Sequence, residues 1–243
     1  MKRELALALP LLFASIGSAT DLRTPIYDAS LECPGGLIRF GIRLEPAPNE
    51  GLRAFVTNGE ESIPVPNFKV TGTETRFGFD YYDSVITAHR AKGEDLAGEW
   101  KKRRSADEWT TMKFRATPGG LRTMDFQIMP EWISGRWRVK FADEADEAVA
   151  VFGGGDRRDL RGTFLTTTGD YRFLAGAADN DGVSLSCFDG SHAFLFKAAL
   201  QPDGTLKGDF WSGPTYHDTW TAVKDDNAAL PDPFGLTKFT GTA

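Results

Sequence analysis

The sequence predicts an all-β protein built from two tandem antiparallel meander units behind an N-terminal signal peptide. Three observations predict it. From about residue 37 to 223 short apolar stretches alternate with Gly, Asn and Asp turn signals, no helical period crosses that span, and the two halves resemble each other.

The elements follow in chain order. Lys2 and Arg3 precede an apolar run at 5–16 that ends in Gly17-Ser18-Ala19. A basic start, a short apolar core and a small-residue site make a signal peptide, 1–19, cleaved after Ala19. The run is too short for a transmembrane helix, which needs ~20 residues, so a mature chain of 20–243 without a transmembrane segment is expected, periplasmic or secreted from a bacterial cell. The first unit, 20–115, carries strand patterns at 37–44, 52–58, 62–70, 74–79, 85–91, 95–101 and 109–115, parted by turns such as Asn58-Gly59 and Thr71-Gly72. A linker is expected at 116–131, where Pro118-Gly119-Gly120 and Pro130 interrupt the pattern. The second unit, 132–224, continues with strands at 136–142, 148–152, 160–166, 171–178, 183–188, 193–201, 205–211 and 218–223. Beyond it the tail 225–243 reads as a connector, because Asp225-Asp226-Asn227 and Pro231-Asp232-Pro233 break all alternation.

The halves align through Asp83 with Asp189, Gly98 with Gly208, and Trp109 with Trp220. Their starts align as Gly36-Leu37-Ile38-Arg39-Phe40 with Gly135-Arg136-Trp137-Arg138-Val139. An internal duplication is the reading we favour, with Trp109 and Trp220 as equivalent core residues. Short strands joined by tight turns hide their edges best by closing, which gives two small barrels or sandwiches. The Gly135-Arg136-Trp137 start resembles the first strand of lipocalin and avidin up-and-down barrels, which carries Gly-x-Trp.

Composition narrows the partners. Hydrophobic residues make up 41% and charged residues 26% of the chain, an ordinary globular balance. Taking Lys2, Arg3 and Glu4 away with the signal leaves 26 basic against 33 acidic residues, so nucleic acid is not an expected partner. The basic cluster Lys101-Lys102-Arg103-Arg104 runs straight into Ser105-Ala106-Asp107-Glu108, the pattern of a solvated hairpin loop.

Cys33 and Cys187 are the only cysteines, and no Cys-x-x-Cys occurs. A Cys33–Cys187 disulfide and a buried thiol at Cys187 are the alternatives. The three histidines, His89, His192 and His217, form no close-spaced pair, so neither a metal nor any other cofactor is expected. Asp189, Ser191 and His192 have the residue types of a nucleophilic triad, yet Gly-x-Ser-x-Gly is missing and the spacing matches no nucleophile elbow, so no catalytic residue is assigned. The turns around Asp83 and Asp189 either line a barrel mouth or close as Asx-turns. Trp211, Tyr216 and His217, with Asp189 and His192, are the candidate ligand-binding residues, for a small apolar or aromatic molecule.

Written out, 167–220 (TTGDYRFLAGAADNDGVSLSCFDGSHAFLFKAALQPDGTLKGDFWSGPTYHDTW) resembles the N-terminal region of bacterial TlpA-like thiol-disulfide oxidoreductases. The similarity is sharpest at SCFDGSHAFLF and GDFWSG, and Ala228-Ala229-Leu230-Pro231-Asp232-Pro233-Phe234 is similar to the junction before their thioredoxin-like domain. The resemblance implies a non-catalytic β-barrel module, serving interaction or substrate presentation beside a thioredoxin-like domain or another periplasmic protein. No active-site dithiol can be carried over, since no Trp-Cys-x-x-Cys is present. The alternative is a free-standing lipocalin-like protein that binds a small molecule.

Overall fold

The computed structural model describes residues 26–47, 51–119, 129–154 and 159–231. The signal-peptide segment, most of the expected linker and the end of the tail lie outside these residues. Nine strands form the first unit: β1 (Ile26–Cys33), β2 (Gly36–Pro46), β3 (Leu52–Asn58), β4 (Glu61–Pro64), β5 (Asn67–Thr71), β6 (Glu74–Phe79), β7 (Ser84–Arg90), β8 (Leu96–Arg103) and β9 (Trp109–Pro118). Nine more form the second: β10 (Gly135–Phe141), β11 (Ala148–Gly154), β12 (Leu160–Thr166), β13 (Gly169–Asp170), β14 (Leu174–Ala178), β15 (Gly182–Phe188), β16 (Ala193–Leu200), β17 (Leu206–Ser212) and β18 (Tyr216–Lys224). The predicted all-β class holds.

Both sheets have one plan. The first runs β4-β3-β2-β1-β9-β8-β7-β6-β5, and the second runs β13-β12-β14-β15-β16-β17-β18-β10-β11, with β11 pairing back onto β12. Strand for strand, β1–β9 correspond to β10–β18. The difference lies in closure. In the second unit Leu160, Arg161 and Gly162 of β12 pair with β14, completing an eight-stranded barrel with β13 as a short extension. In the first, β3 and β5 share no ladder among the described residues, and the sheet stays a half-barrel.

The register sharpens the duplication and corrects two alignments. Gly98 lies between Ala88 and Phe114, and Gly208 between Ala198 and Trp220. Phe114, not Trp109, is therefore the counterpart of Trp220. Trp109 sits at the start of β9, 44% exposed, with the Arg103 guanidinium 4.5 Å above its ring, so its expected place in the core is not realised. Likewise the strand equivalent to β10 is β1, which pairs with the last strand of its unit just as β10 does, so Gly36 and Gly135 open non-equivalent strands.

Other boundaries moved for local reasons. The stretch 62–70 breaks into β4 and β5 at Val65-Pro66, since Pro66 has no N–H for a ladder. Tyr171 lies outside the strands and Arg172 takes a left-handed φ of 61°, so 171–178 reduces to β14. Thr117 and Pro118, expected in the linker, extend β9 against Asp28 and Tyr27 of β1. The first residues of the tail dock on β10: Asp225 N donates to Arg136 O, Arg136 Nε donates to Ala228 O at 2.7 Å, and Ala228 is buried.

The hairpin of β15 and β16 is buried on both faces. Val183, Leu185, Cys187, Phe194 and Phe196 face the barrel interior, while Phe188, Ala193 and Leu195 belong to the core of the half-barrel. The Phe188 ring sits 4.6 Å from Phe40 and meets Phe79 and Trp100 edge-on at 5.8 and 5.6 Å. Gly190 turns the hairpin tip at φ 91°, where a Cβ would stand 2.3 Å from the Phe79 ring, so only glycine fits. The closed barrel thus fills the side that the half-barrel leaves open.

Candidate functional site

Hydrogen bonds around this hairpin tie the units together. Asn58 Nδ2 donates to Phe188 O at 2.9 Å and its Oδ1 accepts from Phe188 N at 3.0 Å. Ser186 Oγ accepts from Arg39 N and donates to Arg39 O. Ser84 Oγ donates to Gly190 O, and Lys102 Nζ donates to both Ser191 O and Ser191 Oγ at 2.9 Å. Arg172 reaches Glu61 of the first unit and Asp189 of the second, each at 3.3 Å.

Asp189 closes an Asx-turn, the structural role weighed for it from the sequence. Its Oδ1 accepts from Ser191 N at 2.8 Å and His192 N at 2.6 Å, and its Oδ2 meets His192 Nδ1 at 3.0 Å. Burial pushes this carboxyl up, but the hydrogen bonds from His192 and Ser191 more than reverse that and hold it below the ordinary carboxylate range. An Asp–His pair therefore exists. Ser191 Oγ accepts from Lys102 Nζ, which suits a joint rather than a nucleophile. Asp83 differs, since its αL backbone brings its carboxylate to Arg103.

The two cysteines are free thiols, so the Cys33–Cys187 disulfide is not formed. The reason is topological: Cys187 points into the closed barrel, while Cys33 packs against the half-barrel core. Burial raises the thiol pKa of both, the first contribution in each case, with Asp189 adding to it at Cys187. A thiol kept protonated is a poor nucleophile.

The proposed ligand-binding residues divide between two faces. Trp211 and His217 are register partners on the outer wall, their rings 5.1 Å apart. Trp211 lies under the β1–β2 turn, where a Cβ on Gly35 would come 2.3 Å from its ring, and His217 Nε2 meets Asp209 Oδ1 at 2.8 Å. Tyr216 falls on the opposite face of β18, at the barrel mouth, its ring 5.9 Å from Phe210. His192 approaches the same end through Phe194, 5.1 Å away. Asp189 is buried behind it.

Tyr171 is the residue the sequence reading missed. It closes the mouth of the barrel, touching Phe141, Phe164, Phe194, Phe196 and Phe210 at centroid distances of 5.1 to 6.2 Å. Burial, then Glu144, Tyr216 and Asp218, push its phenol up to about 12. Above it lies a pocket of about 150 Å³, walled by Phe141, Tyr171, Glu144, Asp146, Glu147 and Asp170 with the 166–169 turn. Thr167 Oγ1 donates to Asp146 Oδ2 at 3.0 Å across the two loops, and Arg172 N donates to Asp170 Oδ1 at 2.9 Å within one, so two of these carboxylates are already oriented. Among the described residues no three His, Cys, Asp or Glu side chains converge to hold a metal ion. No described helix is long and apolar enough to cross a membrane.

No family model and no curated protein matches the chain. The chain is similar to solved structures, among them the following two. One, from Bacteroides fragilis, is designated provisionally as an outer membrane protein: 11% identical, covering 82% of this chain and 95% of that one, with a TM-score of 0.29. The other is a protein of unknown function from the DUF3598 family of Nostoc punctiforme: 11% identical, covering 82% and 94%, with a TM-score of 0.27.

Proposed function

We propose that the protein is a non-catalytic binding module whose ligand site is the pocket at the mouth of the closed barrel. One observation carries this reading. The barrel interior is filled by its own rings, with Phe164 stacked on Phe196 and Phe196 on Phe210, each pair at 4.3 Å. An eight-stranded barrel has an interior just wide enough either for side chains or for one small ligand, and here side chains take it. Among the described residues these rings leave no space between them for an apolar ligand of the lipocalin kind, so a ligand is expected at the polar mouth. Titrating the chain with a panel of small polar and apolar molecules while following amide NMR shifts tests this. Saturable shifts confined to 144–147 and 166–171 with polar members are expected. Shifts centred on Phe164, Phe196 and Phe210 with apolar members would overturn it.

A second reading makes the module an accessory of a TlpA-like thiol-disulfide oxidoreductase, periplasmic or secreted after cleavage near Ala19. The resemblance over 167–220 favours it. Its sharpest stretch, SCFDGSHAFLF, builds the joint between the two units, so an accessory role would rest on their combined surface. The expected outcome is saturable binding of a separate thioredoxin-like domain from a TlpA-like protein, with a mature N-terminus at Thr20. Absence of binding in calorimetry rejects the role.

A further inference from the structure

We infer that the mouth pocket takes an organic ammonium group, a step that rests on the reading of that pocket as the ligand site. The pocket is a walled cavity with an aromatic floor, and its volume of about 150 Å³ suits a group the size of benzene. Glu144, Asp146, Glu147 and Asp170 stand around it, and no basic side chain lines it.

Among the described residues the nearby cations pair with only one of these four carboxylates. Lys140 Nζ donates to the backbone carbonyls of Glu144 and Ala145 at 2.7 and 2.6 Å, and the Glu144 carboxylate has no ion pair among the described residues. Arg172 turns away to Glu61 and Asp189. Arg138 bridges Asp225 at 2.5 Å and Glu147 at 3.8 Å, so Glu147 is partly compensated while Glu144, Asp146 and Asp170 have no ion pair among the described residues. The pocket keeps a negative field over Tyr171 and Phe141, whose rings lie 5.9 Å apart.

The kind of cation follows from geometry. A metal ion needs ligands that converge on one point, and these carboxylates do not. Spaced carboxylates beside the half-buried Tyr171 ring suit a diffuse, weakly hydrated charge, which gains from the ring quadrupole and needs no tight coordination shell. An alkylammonium headgroup has that character; an anion is repelled and a neutral isostere forgoes both attractions.

Amide NMR titration of the whole chain with choline chloride, and separately with dimethylbutanol, its uncharged carbon isostere, tests the inference. Choline is expected to shift Thr167, Gly169 and Tyr171 saturably and to bind at least about tenfold more tightly than the isostere. Glu144→Gln, which removes no hydrogen bond, is expected to weaken choline about threefold or more while the melting temperature holds. Equal binding of both probes at these amides overturns the charge inference and leaves the site standing. No shift with choline, unchanged choline affinity in Glu144→Gln, or full displacement of choline by calcium chloride at matched ionic strength also overturns it. The panel described above decides independently whether the pocket is a ligand site.

Discussion

Asn58 holds Phe188 by both ends of its amide, as an adjacent strand would, although the two residues belong to different units. The contact is fully buried. It fixes the hairpin of the closed barrel inside the half-barrel.

Asn58→Ala removes both bonds and leaves the Phe188 N–H and carbonyl unpaired, at about 1–3 kcal/mol each. A loss of about 2–6 kcal/mol is expected. Urea unfolding measures it, and a loss under about 0.5 kcal/mol would show that the joint is not held this way.

Phe188→Ala empties the space between Phe40, Phe79 and Trp100 and costs about 3–5 kcal/mol. Because Trp100 loses its edge contact, its fluorescence is expected to change together with the unfolding midpoint. Leu195, on the same outward face, is expected to behave similarly when cut to Ala.

Gly98→Ala and Gly208→Ala test the repeat. A Cβ at these positions would stand 2.0 Å from Thr87 O and 2.2 Å from Lys197 O, so both ladders must shift. Glycine-to-alanine changes ordinarily stabilise through the unfolded chain, but here overpacking of about 1–3 kcal/mol outweighs that gain. Matched drops in melting temperature are expected from the two variants.

Stability responds to pH at both ends of the scale. Asp189 has a lowered folded pKa, so its contribution is full above the unfolded value of ~3.9 and is lost as pH falls through the folded one. Tyr171 has a raised pKa, so its contribution is full below the unfolded value of ~10 and is lost as pH rises toward about 12. Unfolding at a series of pH values should show both limbs. Asp189→Asn is expected to flatten the acid limb and Tyr171→Phe the alkaline one.

Much of this fold is legible from residues. Alternation and the Asn58-Gly59 and Thr71-Gly72 turns locate most strands, and Gly98 with Gly208 marks the repeat. β1 was missed because its inward Ala29 and Leu31 make only a brief alternation beside the Cys33-Pro34 turn. The doubly buried hairpin left a trace: Ala193-Phe194-Leu195-Phe196 is apolar without alternation, the mark of a strand covered on both faces. Closure of one unit and not the other had no local signal, since it depends on pairing between β12 and β14. The site was harder still. Tyr216 and His192 reach the mouth, but strand parity puts Trp211 and His217 on the outer wall, and Tyr171 looked like an ordinary strand residue until Arg172 turned the chain.

The most direct test of the mouth pocket as ligand site is calorimetric titration of Thr168→Trp with whichever polar molecule the panel finds for the natural chain. Thr168 is an exposed lining residue, so the indole fills the pocket without entering the core. Loss of the binding heat at an unchanged melting temperature is expected. Undiminished binding by Thr168→Trp would contradict the mouth pocket as ligand site.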